Sequence, residues 1–136
     1  MRTILRILER AGGYRPTLYL KIENPPYMAL VIEAMPELGP LNAPALSVAH
    51  YGEQNGDLMR DPEMCFELTN PLGMGWMMTP FYFRNDYAGV EQYSRTCNAK
   101  NYIFYSDRFH EHESFARLWD KNLRAQGFFE AFERSR

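Results

Sequence analysis

Three features of the sequence predict an antiparallel α+β fold. Apolar residues alternate at period two through most of the chain, an Asn55-Gly56 dipeptide sits between two such runs, and Phe115, Leu118, Trp119 and Leu123 recur at helical spacing near the end. Together they describe one two-layer domain over residues 1–136, a curved antiparallel sheet of five to seven strands. A short N-terminal helix and a longer C-terminal helix pack on one of its faces, and the last few residues are free to fray. A chain of 136 residues with 46% hydrophobic, 24% charged and 15% aromatic content can bury one aromatic-rich core.

The elements follow in order. Thr3 is placed to cap a helix whose Ile4, Leu5, Ile7, Leu8 and Ala11 form one face, and Gly12-Gly13 ends it. From Thr17 the period becomes two: Leu18, Leu20 and Ile22 point inward and Tyr19, Lys21 and Glu23 outward. Asn24-Pro25-Pro26 turns the chain into a second strand, Tyr27 to Glu33, with Met28, Leu30 and Ile32 in phase. Prolines and a glycine make residues 35 to 44 a loop.

The next two strands form a hairpin whose register can be argued. With Asn55-Gly56 as a two-residue loop, Gln54 opposes Asp57, Tyr51 opposes Arg60 and His50 opposes Asp61. Continued unchanged, Val48 would face Glu63 across the core side. One extra residue at Asp61-Pro62 sets Val48 against Met64 and Leu46 against Phe66 instead, so a bulge is predicted there. Beyond Gly73-Met74-Gly75, a strand from Trp76 to Arg84 turns Phe81 and Phe83 inward and Tyr82 and Arg84 outward, with Pro80 marking an edge or kink. Val90 to Thr96 and Tyr102 to Tyr105 supply further strands. Asp107 can cap the last helix, Gly127 stops it, and Phe128, Phe129 and Phe132 return the tail to the body.

The run Ser47 to Met64, SVAHYGEQNGDLMRDPEM, together with Tyr82-Phe-Arg-Asn-Asp-Tyr87 and Trp119-Asp-Lys-Asn-Leu-Arg-Ala-Gln-Gly127, resembles an uncharacterised bacterial family. That family is a domain of unknown function found in phage, plasmid and integrative-element proteins. The resemblance spans roughly Tyr19 to Phe128, and it implies a mobile-element setting without catalytic residues to carry over.

Several functions are disfavoured. A formal charge of -2 gives no long-range pull on nucleic acid or anionic membrane. Tyr19 with Lys21, Tyr51 with Arg60, Tyr82 with Arg84 and Tyr93 with Arg95 mimic a base-stacking platform. Glu23, Glu33, Glu53, Glu67 and Glu91 share that face, however, and cross-strand ion pairs on a solvated sheet explain the pattern. His110-Glu111-His112-Glu113 lacks the four-residue His spacing of a helical zinc site and reads as a solvated first turn. No phosphate loop, dinucleotide fingerprint, nucleophile elbow or paired-cysteine motif is present, so no cofactor, metal ligand or catalytic residue is assigned. Cys65 and Cys97 lack metal-like spacing, and neither a signal peptide nor a membrane-spanning run occurs, which predicts a cytoplasmic protein.

Two readings remain open. His50, Asp57 and Asp61 share a sheet face where it turns from apolar to polar, either as an acid-base or metal-dependent hydrolase site, or as a structural His50 hydrogen-bonded to Asp61 across the bulge. The second reading is a small binding protein of a mobile genetic element that contacts a protein partner, such as a host defence component, through Tyr51, Glu53 and Arg60. The absence of catalytic motifs favours binding over enzymatic activity; the oligomeric state is not readable.

Overall fold

In the computed structural model, which describes residues 1–136 apart from the side chain of Leu72, helix α1 (Arg2–Arg10) precedes a six-stranded antiparallel meander. Its strands are β1 (Tyr19–Asn24), β2 (Tyr27–Ala34), β3 (Ala45–Gln54), β4 (Asp57–Thr69), β5 (Met77–Asn85) and β6 (Val90–Tyr93), paired in sequence order. A separate two-stranded ribbon, β7 (Arg95–Asn98) and β8 (Asn101–Phe104), leads into α2 (Ser106–Ala125) and α3 (Phe128–Ser135). The fold is the α+β arrangement that the alternation and the helical stripe require.

All three helices contribute to the core on the inner sheet face. Ile4, Ile7 and Leu8 of α1, Trp119 and Leu123 of α2, and Phe128 and Phe132 of α3 close over Ile22, Leu30, Ile32, Leu46, Val48, Met64 and Phe66. Burial of each large side chain contributes about 1.5–3 kcal/mol, which offsets the ordering of the strands beneath. The helices are also pinned by polar contacts. The Thr3 amide donates to Asp120 Oδ1 at 2.8 Å, so a carboxylate of α2 caps the positive end of α1, and Asn24 Nδ2 donates to the Gln126 carbonyl at the α2–α3 corner. Met1, not Thr3, is the N-cap of α1, and Thr3 lies buried inside the helix.

The central hairpin has the register the sequence predicts. Gln54 pairs with Asp57, Tyr51 with Arg60, Val48 with Met64 and Leu46 with Phe66, and the ladder slips between Ala49 and Tyr51 so that His50 stands against Asp61 and Pro62. A second bulge was not foreseen. Between β4 and β5 the pairing passes from Cys65↔Tyr82 to Phe66↔Pro80, which leaves Phe81 as the extra residue. Pro80 therefore sits at a bulge within a central strand, and Phe81 joins Ala45, Cys65 and Tyr82 in a small outer cluster instead of facing the helices with Phe83.

Other expectations are corrected near the C-terminus. The strand expected over Val90 to Thr96 breaks at Ser94, where the chain leaves the main sheet. Tyr105 rather than Asp107 is the N-cap of α2, with Asp107 in the first turn. Leu118 is exposed, and α2 buries His112, Ala116, Trp119 and Leu123. Gly127, in the left-handed region at φ 79°, ends α2 as expected, and the phenylalanine-rich tail folds back as α3.

Candidate functional site

The outer sheet face, away from the helices, carries two polar assemblies that the bulges set apart. The first surrounds Arg60. Because β4 carries an extra residue at Asp61-Pro62, Arg60 and Glu63 both project outward although they stand three positions apart. Arg60 Nε lies 3.0 Å from Glu63 Oε1 as a charge pair without hydrogen-bond alignment, its guanidinium carbon stands 6.0 Å from the Tyr51 ring centre, and Ser47 Oγ donates to Glu63 Oε2 at 2.6 Å. The backbone of Arg60 is clamped by the β5–β6 turn, its amide donating to Asp86 Oδ2 and its carbonyl accepting from the Asp86 amide, both at 2.8 Å. Those amide and guanidinium donors hold the Asp86 carboxyl below the usual carboxylate range, the Arg60 amide first and then Arg84 Nε at 2.6 Å. Arg84 in turn is held above its ordinary value by Asp86.

Beside Arg60 the strands enclose an open depression of about 420 Å³, lined by Tyr19 and Lys21 of β1, Val31 and Glu33 of β2, Tyr51 of β3, and Leu58 and Arg60 of β4. Tyr19 and Leu58 are largely solvent-exposed, and burial pushes the Tyr51 hydroxyl above its normal range. Of the predicted interaction residues, the structure brings Tyr51 and Arg60 together here, while Glu53 stands exposed further out towards the hairpin tip. Sequence reasoning missed Leu58 as part of this surface and Asp86 as the residue that fixes Arg60. The Asn85-Asp86 turn dipeptide was the available signal for the latter.

The second assembly is buried. Glu67 and Arg95, both expected on a solvated face, form an ion pair with Oε1 to Nη1 at 2.6 Å and side-chain exposures of 1% and 3%. Arg95 keeps to the outer face on which Tyr93 stands, but there the loop of residues 35–44 and the β7–β8 ribbon cover it, and its Nε and Nη2 donate to the Pro80 and Thr79 carbonyls at 3.0 and 3.1 Å. Glu67 Oε2 accepts from the Leu41 and Ala43 amides at 2.9 and 3.3 Å. This pair thus staples the loop of residues 35–44 and the β7–β8 ribbon to the main sheet. Next to it, Tyr82 packs on Tyr93 at 4.8 Å and donates its hydroxyl to Glu91 at 2.5 Å; burial first and that carboxylate second raise its pKa.

The residues of the hydrolase reading are placed differently. His50 is buried on the inner face between Trp119 and Phe128, with ring centres 5.6 and 5.5 Å away, and burial lowers its pKa. Its Nδ1 is 3.2 Å from the Ala29 carbonyl, and since a carbonyl only accepts, Nδ1 carries the proton of a neutral ring. The expected bond to Asp61 is not made; Asp61 Oδ1 accepts from Asn85 Nδ2 at 3.0 Å, and Asp57 is exposed at the tip. His112 is likewise not solvated. It is buried against Phe83 with Nε2 3.2 Å from the Gln92 side chain, and desolvation, aided by Arg108, lowers its pKa to about 4. Among the described residues no three His, Cys, Asp or Glu side chains gather closely enough to hold a metal ion.

A larger open groove, of about 690 Å³, lies elsewhere, between α1 and the end of β4. Leu5, Leu8, Tyr14, Leu68 and Trp76 give it apolar walls, and Arg2, Arg6 and Glu9 are its charged residues. Arg6 already stacks on Phe129 at 3.9 Å. Among the described residues, no helix is long and apolar enough to cross a membrane.

Fold and surface define a class: an α+β domain in which helices back an antiparallel meander whose outer face carries charged and aromatic side chains. The chain belongs to the DUF6908 family, a domain of unknown function, whose sequence profile matches residues 2–129 and so takes in α1 as well as the sheet and most of the helical layer. Comparison with curated proteins and with solved structures finds no match.

Proposed function

We propose that this protein acts by binding another protein through the outer face at the base of the β3–β4 hairpin. The observation that carries the reading is the depression beside Tyr51 and Arg60, where the Arg60 main chain is held by two hydrogen bonds to Asp86 and whose rim offers Tyr19 and Leu58. A fixed arginine flanked by exposed aromatic and aliphatic side chains has the composition of an interface anchor. Glu33, Glu63 and Glu91 lie among Lys21, Arg60 and Arg84, so the face suits a mixed-charge protein surface rather than a phosphate backbone. The acid-base alternative draws no support from a His50 ring engaged with Ala29 and an Asp61 engaged with Asn85. The sequence resemblance adds the setting: an accessory protein of a mobile genetic element, with a host defence component as one candidate partner.

Affinity capture from bacterial lysate tests this, using wild type, Arg60→Glu and Tyr51→Ala at matched thermal stability. A partner retained by wild type and lost by both variants is the expected result. Equal recovery by all three removes the hairpin base from the interface.

A further inference from the structure

The free edge of the β7–β8 ribbon differs from the outer edges of the main sheet. Tyr102, Ile103, Phe104 and the adjoining Tyr105 are 43%, 37%, 47% and 45% exposed, an uninterrupted run of large apolar side chains. At the other margins, β1 carries the exposed ion pair Lys21–Glu23 and β6 carries Glu91, charges of the kind that discourage strand addition. β8 has no charge and no proline, and β7 is its only strand partner among the described residues.

The register shows which backbone groups are free. Arg95 pairs with Phe104, Thr96 with Ile103, Cys97 with Tyr102 and Asn98 with Asn101, while the Tyr105 amide donates to the Ser94 carbonyl at 2.9 Å. In an antiparallel ladder alternate residues turn their N–H and C=O to the same neighbour. Asn101, Ile103 and Tyr105 therefore point theirs at β7, and Tyr102 and Phe104 point theirs outward. Phe104 is already oriented by Phe109, with ring centres 5.1 Å apart.

We propose that β8 pairs with β8 of a second copy of this chain, antiparallel about a two-fold axis at Ile103, merging two ribbons into one four-stranded sheet. That axis sets Tyr102 opposite Phe104 of the second copy and Phe104 opposite Tyr102, so every outward N–H of both strands finds a carbonyl. An axis at Tyr102 or at Phe104 would leave some of them unpaired. Charge agrees with this register. Lys100 precedes the strand and Asp107 follows it, neither has an ion-pair partner among the described residues, and antiparallel pairing brings the Lys100 end of one copy to the Asp107 end of the other. At about 200 Å² per large side chain, the four residues expose on the order of 350 Å² per copy. The pair together then buries about 700 Å², under the roughly 1,000 Å² of a stable interface, so the dimer is a weak one in exchange with monomer. The surface is separate from the hairpin base around Arg60.

Sedimentation velocity of the full chain from low to high micromolar concentration tests the pairing, with a rise from monomer to dimer mass expected. Tyr102→Pro removes an outward N–H without touching a bond to β7 and weakens the dimer at least tenfold. Should that variant fail to fold, Ile103→Lys sets two like charges against each other at the axis and abolishes the dimer. In a Cys97→Ser background, Ile103→Cys forms a disulfide-linked dimer with oxidised glutathione and Thr96→Cys does not, because non-hydrogen-bonded pairs on facing strands approach to about 4.5 Å. A monomer at every concentration overturns the proposal, even if another protein is captured on this edge. So does a dimer indifferent to both edge variants that fails to cross-link through Ile103→Cys.

Discussion

Removing one member of the Glu67–Arg95 pair is the sharpest test of how the outer face is held. Both side chains are almost wholly enclosed, and the four further hydrogen bonds they make tie residues 41 and 43 and the carbonyls of residues 79 and 80 to one network. Arg95→Met leaves a carboxylate without its counter-ion in the interior, and breaking a buried pair from one side costs about 3–5 kcal/mol. For a chain of this size that corresponds to a fall in melting temperature of roughly 10–17 °C. Glu67→Gln keeps an acceptor for the Leu41 and Ala43 amides but strands the guanidinium, so its loss is similar or slightly smaller. The double variant removes both charges and is expected to lose at least about 2 kcal/mol less than the two single losses added together, the mark of a direct interaction. Urea unfolding followed by the fluorescence of buried Trp119 measures all four proteins, and hydrogen exchange at Leu41 reads the loop separately. Single losses under about 1 kcal/mol, the range of an exposed ion pair, or strict additivity would refute the argument.

Other outcomes follow from the same geometry. A Cβ on Gly39 would stand 2.0 Å from Glu67 Cγ and 2.5 Å from its Cδ, so Gly39→Ala is expected to cost on the order of 2–3 kcal/mol by forcing the staple apart. Gly52→Ala, whose Cβ meets only the exposed side chain of Tyr87, with its hydroxyl at 2.6 Å and its ring edge at 3.3 Å, should cost under about 1 kcal/mol in the same urea assay. His112 provides a pH signature: its folded pKa of about 4 lies below the unfolded value of 6.5, so the unfolded chain takes up the proton first. Its contribution to stability is therefore complete above pH 6.5 and falls progressively between pH 6.5 and about 4. His112→Gln should flatten that part of the stability profile relative to wild type, and an unchanged slope would show that His112 is not the group responsible.

The hairpin register was legible because two local rules conflicted unless a residue was inserted. The Asn55-Gly56 turn fixed the pairing near the tip and the core pattern fixed it near Leu46, leaving Asp61-Pro62 as the place for the extra residue. At Phe81 only Pro80 hinted at irregularity, and a single proline does not say which side chain changes face. Arg95 and Glu67 were assigned to the right face but to solvent, because the loop of residues 35–44 and the ribbon that cover them come from distant parts of the chain, and the two partners themselves lie 28 residues apart. The burial of His112 and the exposure of Leu118 depend on how α2 lies across β5, which the helical spacing of its apolar residues does not specify. For the candidate site, Tyr51 and Arg60 were readable from register alone. The depression beside them was not, since four strands line it and a distant turn holds the backbone of Arg60.

The two bulges give the outer face its division of labour. The insertion at Asp61-Pro62 puts Arg60 and Glu63 on one side of β4 and leaves the Tyr51–Arg60 end of the hairpin beyond the helix-backed core, where partner contact requires no unfolding. The insertion at Phe81 places that ring outward beside Tyr82, and together with the Glu67–Arg95 pair it makes the other part of the same face a closed second core. One half of the face is thus sealed by a loop and a ribbon while the other stays open beside a clamped arginine. Mutations in the sealed half should act first on stability, whereas Arg60→Gln should act on binding with a smaller change in melting temperature, because it loses only the partly exposed ion pair to Glu63 while the structural bonds to Asp86 run through the backbone.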